Sequence, residues 1–112
     1  MKNFLNKYFT NFTNALLDLD LTNIERAAEV IDNTRKKKGR MFILGVGGSA
    51  GNSSHAVNDF RKLCKIDAYT PIDNVSEITA RTNDEGWETV FDSWMKIFKL
   101  NKNGKIVILR VC

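Results

Sequence analysis

Met41-Phe42-Ile43-Leu44-Gly45-Val46-Gly47-Gly48-Ser49-Ala50-Gly51 is the stretch on which the fold turns. Its first four residues are apolar without alternation, the pattern of a short strand buried on both faces in a parallel sheet. Gly45 to Gly51 form a glycine-rich turn, and Asn52 to Cys64 reads as a helix with Val57, Phe60 and Cys64 facing inward. A strand that turns tightly into a helix N-terminus presents free backbone N–H groups and the positive end of a dipole. Glycines let an anion approach that backbone, and Ser49 and Ser53 add hydroxyl donors. Phosphate binding is therefore the natural reading, with a ligand-free tight turn as the alternative.

Upstream of this stretch, Phe4, Leu5, Tyr8, Phe12, Ala15, Leu16 and Leu19 recur at three- and four-residue steps, which predicts an amphipathic helix. Thr22-Asn23-Ile24-Glu25 predicts the start of a second helix through a capping box, with Thr22 as the cap. That helix carries the stripe Ile24, Ala27, Ala28 and Ile31 and ends near Lys38, with Gly39 as the stop. Downstream, Ala68 to Ile72 predicts a second strand, which Pro71 confines to an edge or to the strand's end. Asn74 to Ala80 predicts a short helix capped by Asn74 or Ser76. Trp87 to Leu100 predicts a longer one that buries Val90, Phe91, Trp94, Ile97 and Phe98. Asn103-Gly104 is a turn signal, and Lys105 to Leu109 predicts a third strand.

Two helices, then strand, helix, strand, helices and strand make an open α/β sheet with right-handed crossovers. The expected unit is a single partial domain over 1–112, with N-terminal helices in 1–38 and the start of an α/β core in 41–112. At 112 residues, 43% hydrophobic and 27% charged, the composition is that of one soluble globular domain. The longest apolar run is too short to span a bilayer, and the N-terminus lacks the pattern of a secretory signal. The expected address is the cytoplasm, without membrane contact. Cys64 and Cys112 make no metal-ligand spacing and read as reduced. Much of the net charge of +4 sits in Arg35-Lys36-Lys37-Lys38 and Arg40. No aromatic residue flanks that run, so it reads as a helix C-terminus complementing its dipole, and nucleic-acid binding is not expected.

No Gly-Lys-Ser/Thr occurs, which excludes a Walker-type loop. Gly45, Gly47 and Ala50 keep the spacing of a dinucleotide fingerprint, which also needs an acidic residue after the next strand. Asp67 has the distance but precedes that strand, and Asp73 follows it but lies further on, so nucleotide binding stays open as an alternative. His55, the single histidine, stands one turn ahead of Asp59 on one helix face. Such a pair can ligate a metal or exchange protons, or be a surface hydrogen bond. Asn83-Asp84-Glu85-Gly86-Trp87 reads as a polar loop between helices, either a stop and N-cap or a contact for sugar hydroxyls. Trp87 and Trp94 read as core, and Cys64 as inert.

The glycine loop followed by Ser54-His55-Ala56-Val57-Asn58-Asp59-Phe60 resembles the phosphoheptose isomerases of the sugar-isomerase (SIS) family. Asp73-Asn74-Val75-Ser76 and Thr82-Asn83-Asp84-Glu85-Gly86-Trp87 resemble two further segments of that family in the same order. The resemblance implies a three-layer αβα sandwich with a parallel sheet, of which this chain is the N-terminal part, and a homotetramer with active sites at subunit contacts. It implies interconversion of D-sedoheptulose 7-phosphate and D-glycero-D-manno-heptose 7-phosphate through an enediol, in heptose biosynthesis for surface polysaccharide. It assigns substrate contacts to Gly47, Gly48, Ser49, Asn83 and Asp84, a metal, commonly zinc, to His55 and Asp59, and the general base to Asp59. The family usually has glutamate at this last position; aspartate falls about 1 Å short, a shift that can cost roughly 100-fold. The family's phosphate-gripping loop and the helices that complete its metal site follow the last strand and have no counterpart here. A non-catalytic sugar-phosphate-binding module, or an inactive fragment, is accordingly the second expectation.

Overall fold

The computed structural model describes residues 1–110. These fall into two compact units, one over Met1–Ile31 and the other from Asp32 onward. The first holds helix α1, Lys2–Leu17, and most of helix α2, Leu21–Lys36. Every residue of α1 is exposed, including Phe4, Tyr8, Phe12 and Leu16 of the predicted apolar stripe. The cap of α2 differs from expectation. Asp20, not Thr22, accepts hydrogen bonds from the backbone N–H groups of Thr22 at 2.9 Å and Asn23 at 3.3 Å. A carboxylate caps better than a threonine hydroxyl and also complements the dipole, so the helix starts earlier.

In the second unit, strand β1, Arg40–Leu44, is followed by helix α3, Gly48–Lys62, and strand β2, Asp67–Tyr69. A 3-10 turn at Pro71–Asp73 leads into helix α4, Val75–Glu85. A second 3-10 turn at Trp87–Thr89, helix α5, Val90–Ile97, and strand β3, Lys105–Ile108, complete the order. The sheet is parallel with order β2-β1-β3; Met41 pairs with Ala68 on one side and Lys105 on the other.

β1 is the centre of the core, as its unbroken apolar run predicts. Met41, Phe42 and Ile43 are essentially fully buried. Successive strand residues point to opposite faces. Phe42 faces α5, with ring centroids 5.8 Å from Trp94 and 6.1 Å from Phe98. α3 packs along β1 and β2, with Val57 buried. β2 is an edge strand that stops before Pro71, as the missing proline N–H requires.

Several boundaries differ from the sequence reading. α3 begins at Gly48 rather than Asn52, because the glycines after Gly47 adopt helical turns without strain. α4, capped by Asn74 through the Glu77 N–H at 3.1 Å, runs on to Glu85 and absorbs the expected polar loop. Gly86, with φ of 89°, ends it. Trp87 and Ile97, expected in the core, are exposed, since a helix broken at Thr89 turns only Val90 and Trp94 fully inward. α2 stops in a left-handed turn carried by Lys38, φ 50°, while the N–H groups of Lys38 and Gly39 bond the carbonyls of Arg35 and Thr34. Gly39 is instead required by close packing, since a Cβ there would collide with the Asn103 carbonyl of the turn before β3.

Candidate functional site

β1 lies between its two neighbours, so the chain leaves it toward β2 on one side and reaches β3 on the other. The crevice beyond the carboxyl end of such a strand is where open α/β sheets bind ligands. The glycine loop occupies that point. Gly47 holds φ of 60° and ψ of −126°, a conformation open to glycine and strained for any other residue. The N–H groups of Ser49 and Ala50 are turned back onto the carbonyls of Val46 and Gly47, at 3.2 and 3.0 Å. Those of Gly47 and Gly48 have no acceptor among the described residues. A Cβ at Gly47, Gly48 or Gly51 would meet nothing within 4 Å, so this side of the loop is open.

Ser49 is buried, on the first turn of α3, and the Ser53 hydroxyl donates to its carbonyl at 2.8 Å. A cavity of about 330 Å³ lies beside the loop, lined by Gly45, Val46, Ser49, Phe91, Ile108 and Arg110, among others. Arg110 was not singled out in the sequence. Its one signal was position: it is the first charged residue beyond β3, hence at the same carboxyl edge as the glycine loop. The cavity thus joins open amides, a serine and a guanidinium to an apolar wall, a combination suited to an anionic ligand with an apolar stem.

His55 and Asp59 come together as their spacing predicts, Nε2 to Oδ2 at 3.3 Å. They do not line that cavity. Ser49, Ser53 and Val57 are the buried stripe of α3, and each member of the pair follows a stripe residue by two positions. Two helical residues turn the direction through about 200°, so the pair faces away from the sheet. Asp59 also stands ten residues beyond Ser49, about 15 Å along the helix axis. The side chain of His55 is 79% exposed and that of Asp59 44%. Neighbouring Ser54 is tied to Asp73 by a short hydroxyl–carboxylate hydrogen bond.

As metal ligands the two donors fit two corners of a zinc site. Bonds of 2.0–2.1 Å in a tetrahedron separate N and O donors by about 3.3 Å. The other two corners are not filled: no cluster of three or more metal-ligating side chains exists among the described residues. Asn83 and Asp84 ride the last turn of α4, with the Asn83 amide donating to the Asp84 carboxylate at 2.8 Å. Asn83 lines a separate groove of about 610 Å³ with Ile78, Thr79, Thr82 and Trp87. The candidate residues therefore occupy three places within this chain.

The acidic residues of the nucleotide alternative are placed as well. Asp67 begins β2 opposite Arg40, at the amino edge of the sheet and away from the glycine loop. Asp73 lies past β2 and is engaged by Ser54. Cys64 is a half-buried free thiol, and Cys112 lies outside the described residues. No helix among the described residues is long and apolar enough to cross a membrane.

Comparison with known proteins gives a consistent family. The chain is 31% identical over 101 residues to a probable phosphoheptose isomerase of Thermoplasma volcanium, covering 84% of this chain and 50% of that protein. It is 30% identical over 107 residues to a probable phosphoheptose isomerase of Thermoplasma acidophilum, covering 91% of this chain and 58% of that protein. It thus spans about half the length of these relatives. The structure of phosphoheptose isomerase GmhA from Neisseria gonorrhoeae shares the fold with a TM-score of 0.79 at 20% identity, over 98% of this chain and 61% of that one. No protein-family model matches the chain.

Proposed function

We propose that this chain, whose sequence and fold support the phosphoheptose isomerase family of sugar-isomerase domains, forms the sugar-phosphate-binding part of an aldose–ketose isomerase. The observation that carries this reading is the open glycine loop at the carboxyl end of the central strand, with buried Ser49 and Arg110 beside it. The substrate pair proposed is D-sedoheptulose 7-phosphate and D-glycero-D-manno-heptose 7-phosphate, with Gly47, Gly48 and Ser49 contacting the substrate, and the product feeding heptose biosynthesis.

Such an isomerisation moves a proton between C1 and C2 and needs a base at carbon and an acid or metal at the carbonyl oxygen. Asp59 is proposed as the base, held by His55. On the far face of α3 it does not reach a sugar bound at its own chain's glycine loop, so the proposal places it against the loop of another copy. The exposed Phe4, Tyr8, Phe12 and Leu16 of α1 supply an apolar surface for such a homo-oligomer. Asn83 and Asp84 join the site in the same way. Zinc is proposed only for His55 and Asp59 together with donors beyond the described residues, because two ligands do not hold it alone. The cytoplasm is the proposed location.

The test is thermal unfolding with and without sedoheptulose 7-phosphate, alongside an isomerase assay. A rise in Tm that Ser49→Ala abolishes supports binding at the loop. Turnover regained on mixing Ser49→Ala with Asp59→Asn chains supports a shared site. Protection without turnover points to the second reading, a non-catalytic binding module, which the split placement of the candidate residues favours. No protection by the sugar phosphate rejects both.

A further inference from the structure

Outside the glycine-loop region, the described residues hold a second cavity of about 400 Å³ at the opposite, amino edge of the sheet. It is lined by Arg35, Lys38, Gly39, Arg61, Lys65, Ile66 and Asp67. We propose that this cavity is a binding site for a compact polyanion carrying two or more linked phosphates. The proposal is independent of the reading of the glycine loop.

The argument is one of charge balance. α2 and α3 both end here, and their carboxyl ends together carry about one negative charge. Four cations line the cavity, against the single carboxylate of Asp67. Arg35 contacts Asp32 at 2.6 Å, but Asp32 is shared with Lys36, also at 2.6 Å, so that trio keeps one net positive charge. Lys65 donates to the Lys62 carbonyl at 2.8 Å and serves the helix end. Arg61 donates from Nε to the Ala68 carbonyl at 2.6 Å and lies over the Tyr69 ring, which fixes its guanidinium in place. Lys38 has no hydrogen-bond or ion-pair partner for its ammonium group among the described residues. After the helix ends and Asp67 are neutralised, about two positive charges remain uncompensated.

The floor of the cavity does not compete for the ligand. The N–H groups of Gly39 and Ile66 already bond the carbonyls of Thr34 at 2.9 Å and Phe60 at 3.0 Å. Recognition would thus come from the cationic side chains, which suits several phosphate groups better than one. Lys38 and Lys65 also hold left-handed φ angles of 50° and 55°, where glycine would be unstrained. Both charges are therefore kept at positions where the backbone favours their loss.

That conformation makes a clean test possible. Lys38→Gly with Lys65→Gly removes two charges while relaxing the backbone, so the variant folds at least as well. Lys99, φ 47°, lies outside this cavity, and Lys99→Gly is the matched control. Binding of inorganic tripolyphosphate is measured calorimetrically at fixed ionic strength, with orthophosphate for comparison. The expected result is preferential binding of tripolyphosphate, weakened roughly tenfold or more in the double variant. Lys99→Gly and Ser49→Ala should stay within about twofold of the parent. The proposal is overturned if the parent fails to bind at millimolar concentration, if Lys99→Gly loses as much as the double variant, or if Ser49→Ala removes the binding.

Discussion

Gly45 and Ser49 lie so close that one methyl group on Gly45 would overlap the Ser49 carbonyl oxygen and come within 2.6 Å of the Ser53 hydroxyl. Gly45 is thus required by packing, Gly47 by its backbone angle, and Gly48 by neither. Gly45→Ala is expected to destabilise by about 1–3 kcal/mol, because the first turn of α3 must move. Gly47→Ala should cost about the same through strain. Gly48→Ala should leave Tm within a degree or two while weakening sugar-phosphate protection. Denaturant unfolding of the three variants checks the order, and a fully stable Gly45→Ala would contradict the packing.

Arg110 lines the loop cavity with its charge available to an anion. Arg110→Ala should weaken sugar-phosphate binding by about 1.5–3 kcal/mol, the range for a hydrogen bond to a charged group. Arg110→Lys should recover only part of this, since an ammonium lacks the planar fork. Titration calorimetry distinguishes these outcomes, and unchanged affinity in Arg110→Ala would remove the residue from the site.

His55 and Asp59 form an exposed pair, so neither is needed for folding. His55→Ala and Asp59→Asn should both stay within about 0.5 kcal/mol of parental stability. Each should nevertheless abolish any zinc retained after dialysis, measured per chain by elemental analysis. Asp59→Glu restores the carboxylate reach usual in the family and should raise turnover in any active assembly. Stoichiometric zinc in His55→Ala would show that the metal is held elsewhere.

Phe42 is buried at the crossing of β1 and α5, with Trp94, Phe98 and Tyr69 around its ring. Phe42→Ala should cost about 3–5 kcal/mol and unfold much of the chain at room temperature. The exposed Ile97→Ala, one turn from Trp94, should cost under about 1 kcal/mol. Near-parental stability in Phe42→Ala would displace the core from this position.

Asp32 has its carboxyl held below the usual value of 3.8, first by the hydrogen bond from Lys36 and then by that from Arg35. A lowered carboxylate contributes stability that is present above its unfolded-state value and lost as pH falls through the folded one. The Tm difference between the parent and Asp32→Asn should therefore be constant near neutrality and shrink only below pH 3.8. A difference that grows on acidification would reverse the sign and refute the assignment.

The elements that were legible in the sequence are those with one dominant cause. β1 has an apolar run that no surface element tolerates, and Pro71 marks where β2 must end. The Asn74 cap was legible for the same reason: a side-chain acceptor sits directly before a helical pattern. Boundaries that depend on competition were not. Asp20 displaced Thr22 at the same orphan amides, and the polar residues Asn83 to Glu85 joined α4 because nothing before Gly86 obliges the chain to leave it. In the site, i and i+4 spacing correctly joined His55 to Asp59. Their direction could have been read from Ser49, Ser53 and Val57, whose four-residue steps mark the inward stripe. Arg110 had no local pattern to betray it; only the parallel register of β3 with β1 brings it beside Gly45.

β3 pairs with β1 on one side, while Ile108 on its outer part is 73% exposed and Ile106 is 41% exposed. Its other flank offers a ladder of backbone donors and acceptors to any extended polypeptide. The sheet can grow in that direction but not past β2, where Pro71 interrupts the edge. Supplied in trans, a peptide carrying the next strand of a relative would be recruited there and rescue solubility, making this chain one half of a split-protein pair.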